Sequence, residues 1–184
     1  CALPISINTA DRDNKKNLIA KLEIKPVPNF KLSASGQLGY CTAVTNSLYN
    51  TSVVEGQTYK QNRYAAGFEW KSKATGNDYH KNRCVTLRSE ILGGKDGDCN
   101  SFGIYAATSI PVYKGLDIVA MADYMNYNTD NGLKKTNLMA GLQYWIFKKC
   151  RLQAQYTYSL RSDAMKAIQG NNQSIIQTQI QVAF

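Results

Sequence analysis

The sequence predicts an all-β chain folded as an antiparallel up-and-down transmembrane β-barrel, and three observations predict it. Nine segments alternate apolar and polar side chains with a period of two. Each is about nine to eleven residues long, the length a tilted strand needs to cross the hydrocarbon layer of a bilayer. Short and long connections take turns along the chain, which sends them to opposite rims. No segment carries the spacing of an amphipathic helix.

The elements follow in order. "NLIAKLEIK" (17–25) sets Leu18, Ala20, Leu22 and Ile24 against Ile19, Lys21, Glu23 and Lys25. "FKLSASGQLGY" (30–40) sets Phe30, Leu32, Ala34, Leu38 and Tyr40 against Lys31, Ser33, Ser35 and Gln37. "RYAAGFEW" (63–70) opposes Tyr64, Ala66, Phe68 and Trp70 to Arg63 and Glu69, with Lys71 following. "VTLRSEI" (85–91) opposes Val85, Leu87 and Ile91 to Thr86, Arg88 and Glu90. "FGIYAATSI" (102–110) and "LDIVAMADY" (116–124) continue the pattern, the latter placing Asp117, Met121 and Asp123 opposite Leu116, Ile118 and Tyr124. "NLMAGLQYWI" (137–146) runs Leu138, Ala140, Leu142, Tyr144 and Ile146, and "RLQAQYTYSL" (151–160) sets Leu152, Tyr156 and Tyr158 against Arg151, Gln153 and Gln155. The last, "SIIQTQIQVAF" (174–184), alternates Ile176, Thr178, Ile180, Val182 and Phe184 with glutamines. Such alternation gives each strand one apolar and one polar face.

Tight connections are read at 25–29, 111–115 and 147–150, with 72–82 a longer exception; long ones are read at 41–62, 93–100, 126–135 and 161–173. A soluble β domain is the competing fold. Two features favour the membrane. The polar face is rich in Gln, Ser, Thr, Gly and Ala rather than in Lys and Glu. The apolar face ends in aromatics (Tyr40, Trp70, Tyr124, Tyr144, Tyr156, Tyr158 and Phe184), the pattern of a girdle at the lipid interfaces. In lipid, strands cross only as a closed barrel, because every backbone N–H and C=O must be paired.

Composition narrows the chemistry. Twenty-two Lys and Arg against thirteen Asp and Glu give a net charge of +9, which suits an anionic surface or anionic solutes. No block of five or six like charges occurs, so no nucleic-acid arm is expected. Apart from Cys1, four cysteines (Cys41, Cys84, Cys99, Cys150) form no C-x-x-C, and the single His80 has no partner at metal-binding spacing; no metal, cofactor or enzymatic activity is expected. Cys41 and Cys99 are placed at one rim and Cys84 and Cys150 at the other, where disulfides and free thiols both stay open. Residues 1–6 match the translation of a sequencing-adapter end and are read as a non-native scar, against the alternative of a lipid-anchored Cys1. Residues 7–184 are read as the C-terminal part of one barrel domain, because nine strands are odd and single-chain bacterial barrels are even.

The stretches "RYAAGFEWK", "LRSEILGGKDG", "GLDIVAMADYMNYNTD" and "LMAGLQYWIFKKCRLQAQYTYS", with the Phe-terminated last strand, carry a resemblance. Over about residues 12–184 the chain resembles the C-terminal half of the phosphate-selective porin O/P family, and in particular its Bacteroidetes relatives. The resemblance implies a water-filled channel in the bacterial outer membrane, of about sixteen to eighteen strands, forming a homotrimer. It implies outer-membrane lipid, the barrel assembly machinery (through the C-terminal strand) and small anionic, phosphate-like solutes as partners. A ladder of basic residues would then line the lumen. Alternation supplies Lys21, Lys25, Lys31, Arg63, Lys71, Arg88 and Arg151 as candidates, interleaved with Glu23, Glu69, Glu90, Asp117 and Asp123. Met121 stands where relatives often carry a basic residue. The alternatives are cross-strand pairing of these charges within the wall, and a closed structural or ligand-binding barrel without channel activity. A barrel enzyme would need Asp/His or Ser/His at the external rim, whereas His80 is predicted in a periplasmic turn.

Overall fold

The computed structural model describes residues 15–51, 53–73, 83–147 and 149–182. Nine strands form one antiparallel sheet in chain order: β1 Leu18–Val27, β2 Phe30–Thr42, β3 Thr58–Lys71, β4 Thr86–Asp96, β5 Cys99–Tyr113, β6 Leu116–Asn126, β7 Lys134–Phe147, β8 Cys150–Arg161 and β9 Gln173–Val182. Each alternating segment is a strand, and each strand pairs with its neighbours in sequence. The sheet is not closed: among the described residues β1 and β9 are its two edges. Its up-and-down connectivity is consistent with part of a barrel wall. No helix is long and apolar enough to cross a membrane.

Register is the quantity that matters, since a slip of one residue would turn a strand's apolar set to the other face. One rung of paired residues runs Phe30, Trp70, Leu87, Thr108, Ala120, Ala140, Tyr156, Ile176 from β2 to β9, without a charged residue. The apolar sets therefore share one face of the whole sheet. The three register shifts (Ile24/Val27, Pro111/Tyr113 and Trp145/Phe147) all lie beside two-residue turns at the same rim. Pro111 has no N–H to give a ladder, so a bulge is where a strand tolerates it.

Two expectations need correction. The segment 93–100 is not a long connection: β4 and β5 pair out to Asp96 and Cys99, joined by Gly97 and Asp98 alone. Gly97 has φ 62°, a left-handed conformation that favours glycine in a tight turn. The long-loop rim thus carries one tight turn, as the short-turn rim carries one longer connection after Lys71. The second correction is a helix, α1 (Asp163–Gln169), in the 161–173 connection. Ser162 caps it by accepting from Met165 N, and Gly170 ends it at φ 79°. The cap, the acidic first turn and the terminal glycine were legible, but seven residues are too short for periodicity to register. Residues 1–6, His80, Lys148 and Phe184 lie outside the described residues.

The sheet is inverted relative to a water-soluble one. Asp117, Gln143 and Ser159 on the polar face are 4, 7 and 4% exposed, whereas Leu142, Tyr156 and Ile180 on the apolar face are 52, 47 and 70% exposed. Among the described residues the buried apolar set is Ala43, Val53, Cys99, Val119, Leu133, Cys150 and Met165, most of it in or beside the loops. Large apolar side chains of the described residues thus lie mainly on the open face of the sheet rather than in a core.

On the polar face, Gly141 lets β7 and β8 approach. A Cβ there would lie 2.5 Å from the Ala154 carbonyl oxygen and 2.8 Å from Gln155 Cβ. Gly141→Ala is expected to destabilise the sheet by about 1–3 kcal/mol, the usual cost of overpacking. The shift of the denaturant midpoint measures it, with Gly141→Ser expected to be at least as costly.

Candidate functional site

The polar face divides into two halves. On β1–β4 it is charged. Glu23 accepts from Lys21 at 3.1 Å and from Lys31 at 3.5 Å; Glu69 accepts from Lys71 at 2.9 Å and from Arg88 at 3.0 Å. Arg63 meets Asp96 at 3.0 Å, and the Tyr105 hydroxyl of β5 donates to Glu90 at 3.2 Å. The register explains the choice of partners, since Glu69 shares its rung with Lys31 on one side and Arg88 on the other. Five of the seven candidate lining residues are thus ion-paired. Arg151 bonds amides instead, and Lys25 sits inside the register shift at Ile24/Val27, where pairing does not fix its face. These pairs are partly exposed, so they add little to stability. What they change is the field, replacing an open cationic ladder by an alternating belt.

On β7–β9 the face is made of amides. Gln153 Nε2 donates to Gln155 at 2.6 Å, and Gln155 Nε2 donates to Gln177 at 2.9 Å. Between the halves lies a buried carboxylate, Asp117. Its Oδ2 accepts from Gln143 Nε2 at 3.1 Å and Trp145 Nε1 at 3.0 Å, and its Oδ1 accepts from Arg83 Nε at 2.9 Å and from Arg83 Nη2. Arg83 also donates to the carbonyls of Tyr113 (2.7 Å) and Leu116, tying the 72–85 connection to the β5–β6 turn. Arg151 completes the group, donating to Gln143 at 2.8 Å and to Gln181 at 2.7 Å with its guanidinium 5.7 Å from the centre of the Trp145 ring. Arg83 and Trp145 are the residues sequence reasoning missed. The signal for Trp145 was its parity, an indole between Tyr144 and Ile146 and so on the polar face; Arg83, in a loop, had none.

At the long-loop rim the connections hold one another. Asn50 Nδ2 donates to the Asp96 carbonyl at 2.6 Å, and Asn128 Nδ2 to the Tyr49 carbonyl at 3.1 Å. Tyr49 stacks on Tyr127 at 4.8 Å between centroids, and its hydroxyl bonds Gln169 at the end of α1. Arg161 gathers the carbonyls of Gln169, Gly170 and Asn171 at 2.9, 3.1 and 2.6 Å. The 43–57 connection therefore reaches from β2 across to the β8–β9 connection. Burial, then the neighbouring Tyr49 and Asp123, push the Tyr127 phenol above its ordinary value of 10.0. Cys41 and Cys99 at this rim, and Cys84 and Cys150 at the other, are all free.

On the apolar face the aromatics form two oblique lines. Tyr64 and Phe102 lie on one rung, with Gly93 between them. Tyr40 lies further toward the long-loop rim, paired with Lys60, while Tyr124 sits one apolar step below Phe102, on the Ile104 rung, and Tyr158 one step below that, paired with Leu138. The lower line falls the same way, from Phe30 and Trp70 on one rung to Tyr144, two apolar steps lower and opposite Leu116. Aromatic lines that fall across the rungs in one direction fit strands tilted in a barrel wall. Tyr156 departs from the line: it lies mid-strand, its hydroxyl bonded to Ser174 at 2.9 Å. No protein-family model, curated protein or solved structure matches the chain.

Two outcomes follow from this geometry. Arg83→Ala leaves the Asp117 carboxylate buried without its cation, an expected loss of about 3–5 kcal/mol. Chemical denaturation measures the loss, and adding Asp117→Asn should recover most of it. The raised Tyr127 value favours the protonated phenol in the fold, so its contribution is full below 10.0 and is lost as pH climbs through the folded-state value. Absorbance at the phenolate band should show a step above 10.0 that Tyr127→Phe removes.

Proposed function

We propose that the chain is part of the wall of an outer-membrane channel of the phosphate-selective porin O/P type. Its apolar face meets lipid and its polar face lines a water-filled passage for small hydrophilic solutes. The observation that carries this reading is the inversion of the sheet, with Leu142 and Ile180 open while Asp117 and Gln143 are enclosed. Large exposed apolar surface marks a membrane or protein partner, and in a barrel it faces lipid. The two aromatic lines and the tilt they share support the same arrangement.

Passage is passive diffusion along a face of charges and amides. Basic residues in a pore favour anions. The pairing of Lys21, Lys31, Arg63, Lys71 and Arg88 with Glu23, Asp96 and Glu69 tempers that preference. Small anions are favoured over cations, and strict selection for phosphate is not what an alternating belt provides.

Reconstitution of the full-length protein in planar bilayers is expected to give ohmic conductance; its absence would sink the channel reading. The wall itself is tested separately. Leu138→Arg, in the middle of the apolar band of β7, is expected to cost about 2–4 kcal/mol of folding free energy in lipid, while Gln155→Arg on the opposite face costs little. Equal effects of the two substitutions would overturn the assignment of faces.

A further inference from the structure

The apolar face carries charge at one edge only. Among the described residues of β2–β9 its charged side chains are Lys60, Lys95 and Lys134, at the long-loop ends of β3, β4 and β7, and all three are exposed. The acidic strand residues (Glu23, Glu69, Glu90, Asp96, Asp117 and Asp123) fall on the other face by register. None of the three lysines forms an ion pair among the described residues. Their neighbours across the ladder are uncharged: Lys60 pairs with Tyr40, Lys95 with Asn62 and Asn100, and Lys134 with Asn126.

The lysines also climb across the rungs. Lys134 lies on the rung of Asn126, Phe102 and Tyr64; Lys95 lies one apolar step beyond that rung, and Lys60 one step beyond Lys95. The aromatic line, from Tyr124 through Phe102 to Tyr40, rises across the rungs in the same direction. On tilted strands, a row that climbs the rungs in that direction follows the level of the bilayer. The lysines thus form one line at or just outside the aromatic girdle, the depth of lipid headgroups, with ammonium groups on flexible stems able to reach outward.

We propose that Lys60, Lys95 and Lys134 form a docking line for phosphate-bearing lipid headgroups in the leaflet at the long-loop rim. The proposal rests on the wall reading above and adds a partner to it. The physical basis is charge complementarity: three cations and no anion on one edge of a lipid-facing surface, each near-surface lysine being worth about fivefold in affinity for an anionic headgroup. Lys21, Lys31 and Lys71, neutralised on the opposite face, make the natural control.

The test uses the full-length protein folded in phosphatidylcholine vesicles and then in neutral detergent micelles titrated with bisphosphorylated lipid A. Native mass spectrometry reads the bound lipid. The Lys60→Gln/Lys95→Gln/Lys134→Gln variant is expected to bind roughly 100-fold more weakly. The Lys21→Gln/Lys31→Gln/Lys71→Gln variant should bind like the parent, and dephosphorylated lipid A should bind parent and variant alike. Unchanged affinity in the first variant overturns the proposal while leaving the wall reading standing. Displacement of the lipid by inorganic phosphate at comparable concentration also overturns it, because the site would then serve a free solute. Failure of the parent to insert into the vesicles overturns both readings.

Discussion

Everything in this chain depends on one constraint, that side-chain parity is kept through eight consecutive antiparallel pairings. A slip of one residue at any of them would put isoleucines among the glutamates on one side of the sheet and charges among the aromatics on the other. Parity is cheap to keep where strands run straight. The irregularities sit beside turns, at Ile24/Val27, Pro111/Tyr113 and Trp145/Phe147, where a shift re-aims one or two residues and leaves the rest of the strand in phase. Small residues do the rest: Gly141 lets neighbouring backbone and side chains close on it without pushing β7 out of register.

Given parity, the chemistry of each face follows from different forces. The apolar face coheres through cross-strand contacts along each rung. The polar face is enclosed around Asp117, Gln143 and Ser159, and enclosure requires buried groups to satisfy one another. Asp117 does so with Arg83, Gln143 and Trp145, and the glutamines of β8 and β9 do so with each other. The result is a lining whose charges are largely spoken for. In the channel proposed above, such a lining would select more by size and weak field than by a strong binding site.

The fold was largely legible in the sequence because period-two alternation is a local property, written into each segment independently. The 93–100 segment escaped because its glycines and aspartates read as loop, although "GGKDGDC" is a pair of strand ends around a two-residue turn. α1 escaped because a helix of two turns has no periodicity to detect. The lining residues were legible as candidates, since facing follows from parity. Their partners were not. That Glu69 would take Arg88 as well as Lys71 of its own strand depends on which rung β3 and β4 share, and the reach of Arg83 to Asp117 spans thirty-four positions.

The sequence by itself determined that nine strands exist, which residues share a face on each, and that one face is apolar. Those are consequences of side-chain order along an extended backbone and need no contact between distant residues. Only the tertiary structure decided how the strands align with one another. That alignment sets the slope of the aromatic lines, joins Lys60, Lys95 and Lys134 into one row, and turns a list of basic residues into a paired belt. Register is a relation between strands, fixed by turns and by the packing of whole rungs, and no single segment contains it.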